Sequence, residues 1–180
     1  MINWKTISLK ELAGYISEEL RKKGIEIILV GGACVTIYSA NRYQSYDLDF
    51  VTYEDMKKVN KVLQELGFAE ENGYFQHNNC QWFVEFVSPP VGIGKEIVQE
   101  FNSIDTPLGT IRLLHPVDTV KDRLSSFFHW ADKEGLNQAI NICLEQEIDF
   151  EEVERWSLQE DQKDKFEIFK NLLKKKRRKS

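Results

Sequence analysis

Two aspartates separated by one residue, Asp47 and Asp49, lie in Ser45-Tyr46-Asp47-Leu48-Asp49-Phe50-Val51, shortly after a Gly31-Gly32 pair. On a strand, residues two apart project from the same face. The two carboxylates would then point one way, and Leu48 and Phe50 the other. Carboxylates crowded on one face repel each other unless a cation lies between them. An oxygen-rich set of this kind suits magnesium, above all when substrate phosphates complete the coordination.

Glu85 lies in the middle of Phe83-Val84-Glu85-Phe86-Val87, where burying an unpartnered carboxylate is costly. If its strand runs beside that of Asp47 and Asp49, the three acids converge and can hold divalent cations against a nucleotide phosphate. The plainer alternative is a glutamate facing water from a half-exposed strand. Gly31-Gly32 follows the apolar run Ile25–Val30 and leads into a helix. Backbone N–H groups and the helix dipole at such a junction favour an anion, although paired glycines also serve in a simple tight turn.

The elements that must position these residues are legible in outline. Ser8 and Glu11 form a capping-box pattern ahead of Leu9, Leu12, Ile16 and Leu20, and Gly24 ends that helix. Ile25–Val30 reads as a central strand, Gly31 to about Ala40 as a helix, and Asp47–Val51 as a strand. A helix is expected from about Glu54 to Leu66, then strands over Tyr74–His77 and Gln81–Val87. A short helix is expected over Lys95–Phe101, and a last strand over Thr110–Leu114. From Pro116 the pattern is helical, over about 117–130, 133–147, 150–158 and 160–175. The expected class is α/β (α+β): a small mixed β-sheet with flanking helices over 1–115, followed by a C-terminal helical region over 116–180.

Composition narrows the function classes. The chain has 180 residues, 42% hydrophobic and 29% charged, with a formal net charge of -5. That is ordinary for a globular domain and gives no overall pull toward nucleic acid. The run Lys174-Lys175-Lys176-Arg177-Arg178-Lys179 is locally basic. It reads either as a solvated helix end or as a contact for a phosphate backbone. Cys34, Cys80 and Cys143 are widely spaced and suggest buried free thiols, and the three histidines form no zinc pattern. The first residues lack a signal peptide's apolar stretch, and no run approaches the roughly 20 apolar residues of a membrane helix. A cytoplasmic protein with no membrane partner is expected.

The glycine pair, the Asp-x-Asp strand and the later acid resemble the signature of the nucleotidyltransferase superfamily with the DNA polymerase β-like fold. Arg42, then Ser45-Tyr46-Asp47-Leu48-Asp49, looks like the version found in AbiEii-type toxin nucleotidyltransferases, and Leu114–Leu124 is similar to bacterial nucleotidyltransferase-like proteins. Two positions depart from the pattern. Position 32 is Gly where relatives often carry a small hydroxyl, and the third acid is Glu where Asp is more usual. The resemblance implies transfer of a nucleoside monophosphate from a nucleoside triphosphate to an acceptor hydroxyl, with Mg2+ on Asp47, Asp49 and Glu85. Gly31, Gly32, Arg42 and Ser45 would bind nucleotide, and Lys121 and Asp132 would assist catalysis. Lys121 and its charged neighbours also fit an ordinary surface pattern at three- and four-residue spacing. The acceptor could be RNA, such as a tRNA end, or a protein, and a toxin role would bring an antitoxin partner. The rival is a catalytically degenerate module of the same fold that binds nucleotide or a partner protein.

Overall fold

The computed structural model describes residues 2–178, so Lys179 of the basic run lies outside the described residues. Two compact units emerge. The first comprises Met1–Ala33, Ser45–Pro90 and Glu100–Leu114; the second comprises Cys34–Gln44, Val91–Gln99 and His115–Ser180. The crossing at Leu114 and His115 coincides with the change in sequence character near residue 115. The other two excursions carry no compositional mark.

The first unit is built on seven strands: β1 (Ile28–Val30), β2 (Asp47–Val51), β3 (Phe68–Glu71), β4 (Tyr74–His77), β5 (Phe83–Val87), β8 (Asn102–Thr106) and β9 (Gly109–Leu113). Their order across the sheet is β3-β4-β5-β2-β1-β9-β8. β2 runs antiparallel to β1 and parallel to β5, and β1 runs parallel to β9. The helix α1 (Leu9–Arg21) packs on β8 and β9, and α3 (Met56–Glu65) packs on β3.

Local chemistry explains these elements. Ser8 and Glu11 form the expected reciprocal capping box, with the Ser8 backbone N–H donating to Glu11 at 2.9 Å. Leu9, Leu12, Ala13, Ile16 and Leu20 form the buried stripe of α1. Asp55 caps α3 by accepting from the Lys57 N–H. Asn72 and Gly73 both have positive φ and join β3 to β4 by a two-residue turn that suits the twist of a hairpin. Beneath the sheet Leu48, Phe50 and Val84 are fully buried, and Phe86 meets Phe50 and Phe75 at centroid separations of 5.9 and 6.0 Å.

β1 is shorter than the expected Ile25–Val30. The Ile25 N–H closes the end of α1 by donating to the Leu20 carbonyl at 3.0 Å, and the Glu26 carbonyl accepts from Thr52 Oγ1. Both groups are therefore spent outside the sheet ladder.

The second unit contains α4 (Pro116–Trp130), α5 (Lys133–Glu145), α6 (Phe150–Gln159) and α7 (Lys163–Arg177), with α4 against α5 and α6, and α7 against α5 and α6. Phe128 stacks on Trp156 at 5.5 Å, and Phe166 and Phe169 fill the neighbouring core. The helix α2 (Gly31–Tyr38) starts in the first unit, and its residues from Cys34 onward belong to the second.

The helix expected over Lys95–Phe101 is absent. A small hairpin, β6 (Gly92–Ile93) and β7 (Glu96–Ile97), takes its place, and Asn102 opens β8. Gly94 has φ +59, and the Lys95 N–H donates to Glu160 at 2.7 Å. The group that would have propagated a helix is held by a partner 65 residues away in sequence. The four C-terminal helices stand close to their expected spans, and no described helix is long and apolar enough to cross a membrane. Cys34, Cys80 and Cys143 are all buried free thiols, and burial pushes the Cys143 thiol up to about 12.

Trp156 is fully buried among aromatics. Trp156→Ala should cost about 3–5 kcal/mol in denaturant unfolding; a loss below about 1 kcal/mol would mean that the stack with Phe128 does not organise the second unit.

Candidate active site

Parallel pairing of β2 with β5 sets Asp47 opposite Phe83 and Asp49 opposite Glu85. Paired residues in neighbouring strands share a face, as do alternate residues along one strand. Asp47, Asp49 and Glu85 therefore project from the same side of the sheet, each half-buried. Leu48, Phe50 and Val84 occupy the opposite, buried side.

Antiparallel pairing of β1 with β2 then sets Val30 opposite Asp49, so the chain turns into α2 directly beside that aspartate. Gly31 has φ +67, and a Cβ there would collide with Asp49 Oδ2. The left-handed backbone favours glycine at 31, and any larger residue would also push the Asp49 carboxylate aside. Ser45 is buried, and its hydroxyl donates to Asp47 Oδ1 at 2.7 Å. That hydrogen bond orients the Asp47 carboxylate.

The residues present suit a magnesium ion chemically: three carboxylates on one face, beside a helix start whose N–H groups favour phosphate. The register brings their backbones to neighbouring positions. Among the described residues, however, no three His, Cys, Asp or Glu side chains are arranged to hold a metal ion.

Gly32 follows Gly31 in the first turn of α2, still in the first unit; the remaining three predicted residues, Arg42, Asp132 and Lys121, belong to the second unit, and each has a partner there. Arg42 pairs with Glu145, its Nε donating at 2.7 Å. Asp132 caps α5 by accepting from the Glu134 N–H at 2.9 Å. Lys121 is buried, with its Nζ bonded to Glu152, 3.6 Å from Asp118 and 3.7 Å from Glu96. Arg155 joins the same network through Glu152 and Glu96. The Arg155 hydrogen bond, reinforced by Lys121, holds the Glu152 carboxyl down at about 2, whereas burial raises Asp118 despite Lys121. This is the geometry of a structural ion cluster, and the long-range carboxylates that complete it were not visible from three- and four-residue spacing.

Two aromatic residues are among those that share the face of the three acids. Tyr74 pairs with Glu85 and Phe83 pairs with Asp47, which sets both rings beside the carboxylates. Phe83 could have been found by parity with Glu85, but Tyr74 needed the strand register. A separate cavity of about 230 Å³, lined by Tyr53, Met56, Phe86, Val87 and Pro89 among others, lies past the carboxyl ends of β2 and β5 and includes none of the predicted site residues.

Solved structures share this arrangement of elements. An antigenic nucleotidyltransferase-like protein from Paracoccidioides brasiliensis superposes with a TM-score of 0.58 at 13% identity, over 77% of this chain and 76% of its own. The antibiotic-resistance factor ANT(2'')-Ia matches in its solution structure at 0.52 and 12% identity, over 98% of this chain and 100% of its own. Its crystal structure in complex with adenylyl-2''-tobramycin matches at 0.50 and 12% identity, over 93% and 97%. The chain has the nucleotidyltransferase fold. No protein-family model matches it, and no curated protein matches it in sequence. At these identities the nucleotidyltransferase likeness is one of fold, and the chemistry must be argued from the residues.

Gly31→Ala should lower stability by about 1–2 kcal/mol through the left-handed backbone alone, read by denaturant unfolding; an unchanged midpoint would show that residue 31 relaxes freely. Glu152 supplies a pH test. Its folded carboxyl lies below its ordinary value of 4.5, so its stabilisation is complete above about pH 4.5 and fades toward about pH 2. The stability deficit of Glu152→Gln should therefore be largest near neutrality and shrink as pH falls through that window. A deficit independent of pH would contradict the ion cluster.

Proposed function

We propose that this protein is a magnesium-dependent nucleotidyltransferase that moves a nucleoside monophosphate from a nucleoside triphosphate to a hydroxyl of an acceptor. The observation that carries the reading is the register of β2 with β5, which aligns Glu85 with Asp49 on the face of Asp47, beside the start of α2. Gly31 and Gly32 offer backbone N–H groups and the positive end of a helix dipole to the triphosphate. Gly32 supplies no hydroxyl, so in this reading the phosphates are held there by the main chain.

Asp47, Asp49 and Glu85 are the residues that would hold magnesium, which supplies positive charge against the charge developing on the phosphate oxygens. Ser45 keeps Asp47 in one orientation by its hydrogen bond. The acceptor oxygen forms a new bond to the α-phosphorus as the bond to the β-phosphate oxygen breaks, and pyrophosphate leaves with that electron pair. Glu85 takes the hydroxyl proton. Asp47 and Asp49 would position the substrate phosphates only through the cation they would hold, which lowers the entropic part of the barrier.

An RNA acceptor such as a tRNA end, a protein acceptor, a toxin role and an antitoxin partner all remain within this reading. RNA draws its support from the basic last turn of α7, Lys174 to Arg177. Part of that charge is already engaged, because Arg177 donates to the Cys143 carbonyl at 3.1 Å. The second reading, a non-catalytic binding module, is favoured by Gly at position 32.

Incubation with labelled triphosphates, magnesium and total RNA or protein tests the proposal. Label transfer is expected, with about a thousandfold loss in Asp47→Asn and Asp49→Asn, the equivalent of several kcal/mol of transition-state stabilisation. Nucleotide binding without transfer would favour the binding module.

A further inference from the structure

Trp130, the last residue of α4, is 83% exposed, although a tryptophan left in water forgoes one of the largest apolar burials a side chain can make. Its surroundings within the second unit are fixed by Lys165 of α7. The Lys165 ammonium rests over the Phe127 ring at 5.7 Å and donates to the Phe127 carbonyl at 3.4 Å and to the Phe128 carbonyl. Trp130 follows Phe127 by one turn of α4, and Ile168 follows Lys165 by one turn of α7. Leu172 and Lys175 continue that row at helical steps. Ile168 and Leu172 are 48% and 37% exposed, beside the buried stripe of Phe166, Phe169 and Leu173. The outer side of α7 is thus an apolar row that begins beside the end of α4, where Trp130 stands in solvent, and ends in cations.

The charge of α7 selects what can cover this row. Between Lys163 and Arg177 the helix carries seven Lys or Arg against Asp164 and Glu167, and Glu167 is paired with Lys170 at 2.7 Å. Asp161, ahead of the helix, is paired with Lys95 at 3.2 Å. The whole chain has a net charge of -5, so an anionic surface attracts α7 and repels the remainder, which fixes the side that docks. A protein partner matches poorly, because the buried centre of a protein interface is depleted of lysine. A nucleic-acid backbone would take the cations and leave Ile168 and Leu172 in water. A bilayer of anionic phospholipids takes both: headgroup phosphates for the lysines, the acyl-chain boundary for the aliphatic side chains, and the headgroup layer for the amphipathic indole.

We infer that the second unit docks on anionic phospholipid bilayers through Trp130, Ile168 and Leu172, with Lys174 and Lys175 held to the headgroups. The helix α7, about 22 Å long at 1.5 Å per residue, lies along the surface. This is a contact with the surface: no described helix can span a membrane, and none has to. The lack of a long apolar run, from which no membrane partner was expected, bears on spanning segments alone. The contact belongs to the second unit and requires no nucleotide, magnesium or transfer, so it stands or falls apart from the transferase reading.

Co-sedimentation of the full chain with vesicles of phosphatidylcholine mixed with phosphatidylglycerol tests the contact, with pure phosphatidylcholine vesicles alongside. Wild type should sediment with the anionic vesicles, far less with the neutral ones, and should be released by high salt. Lys174→Gln/Lys175→Gln should bind about thirtyfold more weakly, at about fivefold per charge, and Trp130→Ser about tenfold more weakly. Lipid brominated in its acyl chains should quench the fluorescence of wild type. Trp130→Phe should lose that quenching, because Trp82 and Trp156 are buried and Trp4 is stacked on His77. Thermal melts verify that each variant is folded, and quenching in wild type reads insertion without any substitution. No binding to the anionic vesicles, equal binding to both kinds, binding without quenching, or binding that both variants retain in full would each overturn the proposal. Binding of a single-stranded RNA oligonucleotide that depends on Lys174 and Lys175, with none to vesicles, would overturn it in favour of a nucleic-acid contact.

Discussion

The parallel alignment of two five-residue strands, Asp47–Val51 and Phe83–Val87, is the constraint on which the rest depends. Side chains alternate along a strand, so a slip of one residue would turn Glu85 away from Asp49 and bury a carboxylate. The register is fixed from below. Leu48, Phe50 and Val84 are fully buried, and Phe86 contacts both Phe50 and Phe75. A fully buried side chain of this size contributes about 1.5–3 kcal/mol, enough in sum to keep the three acids on the opposite face. The apolar face thus dictates the geometry of the polar one.

The second unit solves a different electrostatic problem. Lys121 is buried, an expensive place for a cation unless carboxylates surround it. Glu152, Asp118 and Glu96 do so, and Arg155 balances the excess negative charge. Glu96 comes from the β6–β7 hairpin, and a second carboxylate, Glu160, accepts the Lys95 N–H in the same hairpin. The hairpin is therefore tied to the helices by charge and by the main chain, and by Trp156, whose indole N–H donates to the Ile93 carbonyl at 3.4 Å. This network gives Lys121 a structural task.

What could be read in the sequence was whatever depends on near neighbours. The capping box of α1, the span of β2, the span of β4 and the approximate helices of the second half all follow from local periodicity and turn chemistry. The pair Asp47 and Asp49 was legible for the same reason. Glu85 required a guess about strand adjacency, and the register agrees with that guess. The β6–β7 hairpin was missed because Glu160 and Trp156, far along the chain, hold its backbone. Strand β8 was missed because Asn102-Ser103-Ile104-Asp105-Thr106 is polar and partly exposed at a sheet edge, so its apolar signal is weak. Tyr74 went unnoticed because its neighbours on the face come from other strands.

The claim that three carboxylates on adjoining strands grip divalent cations under a triphosphate is tested most directly by a crystal structure with magnesium and a non-hydrolysable nucleoside triphosphate. The account predicts oxygen atoms of Asp47, Asp49 and Glu85 in the coordination of magnesium, with the phosphates against Gly31 and Gly32. Magnesium and nucleotide bound elsewhere, or bound here without Glu85, would contradict it.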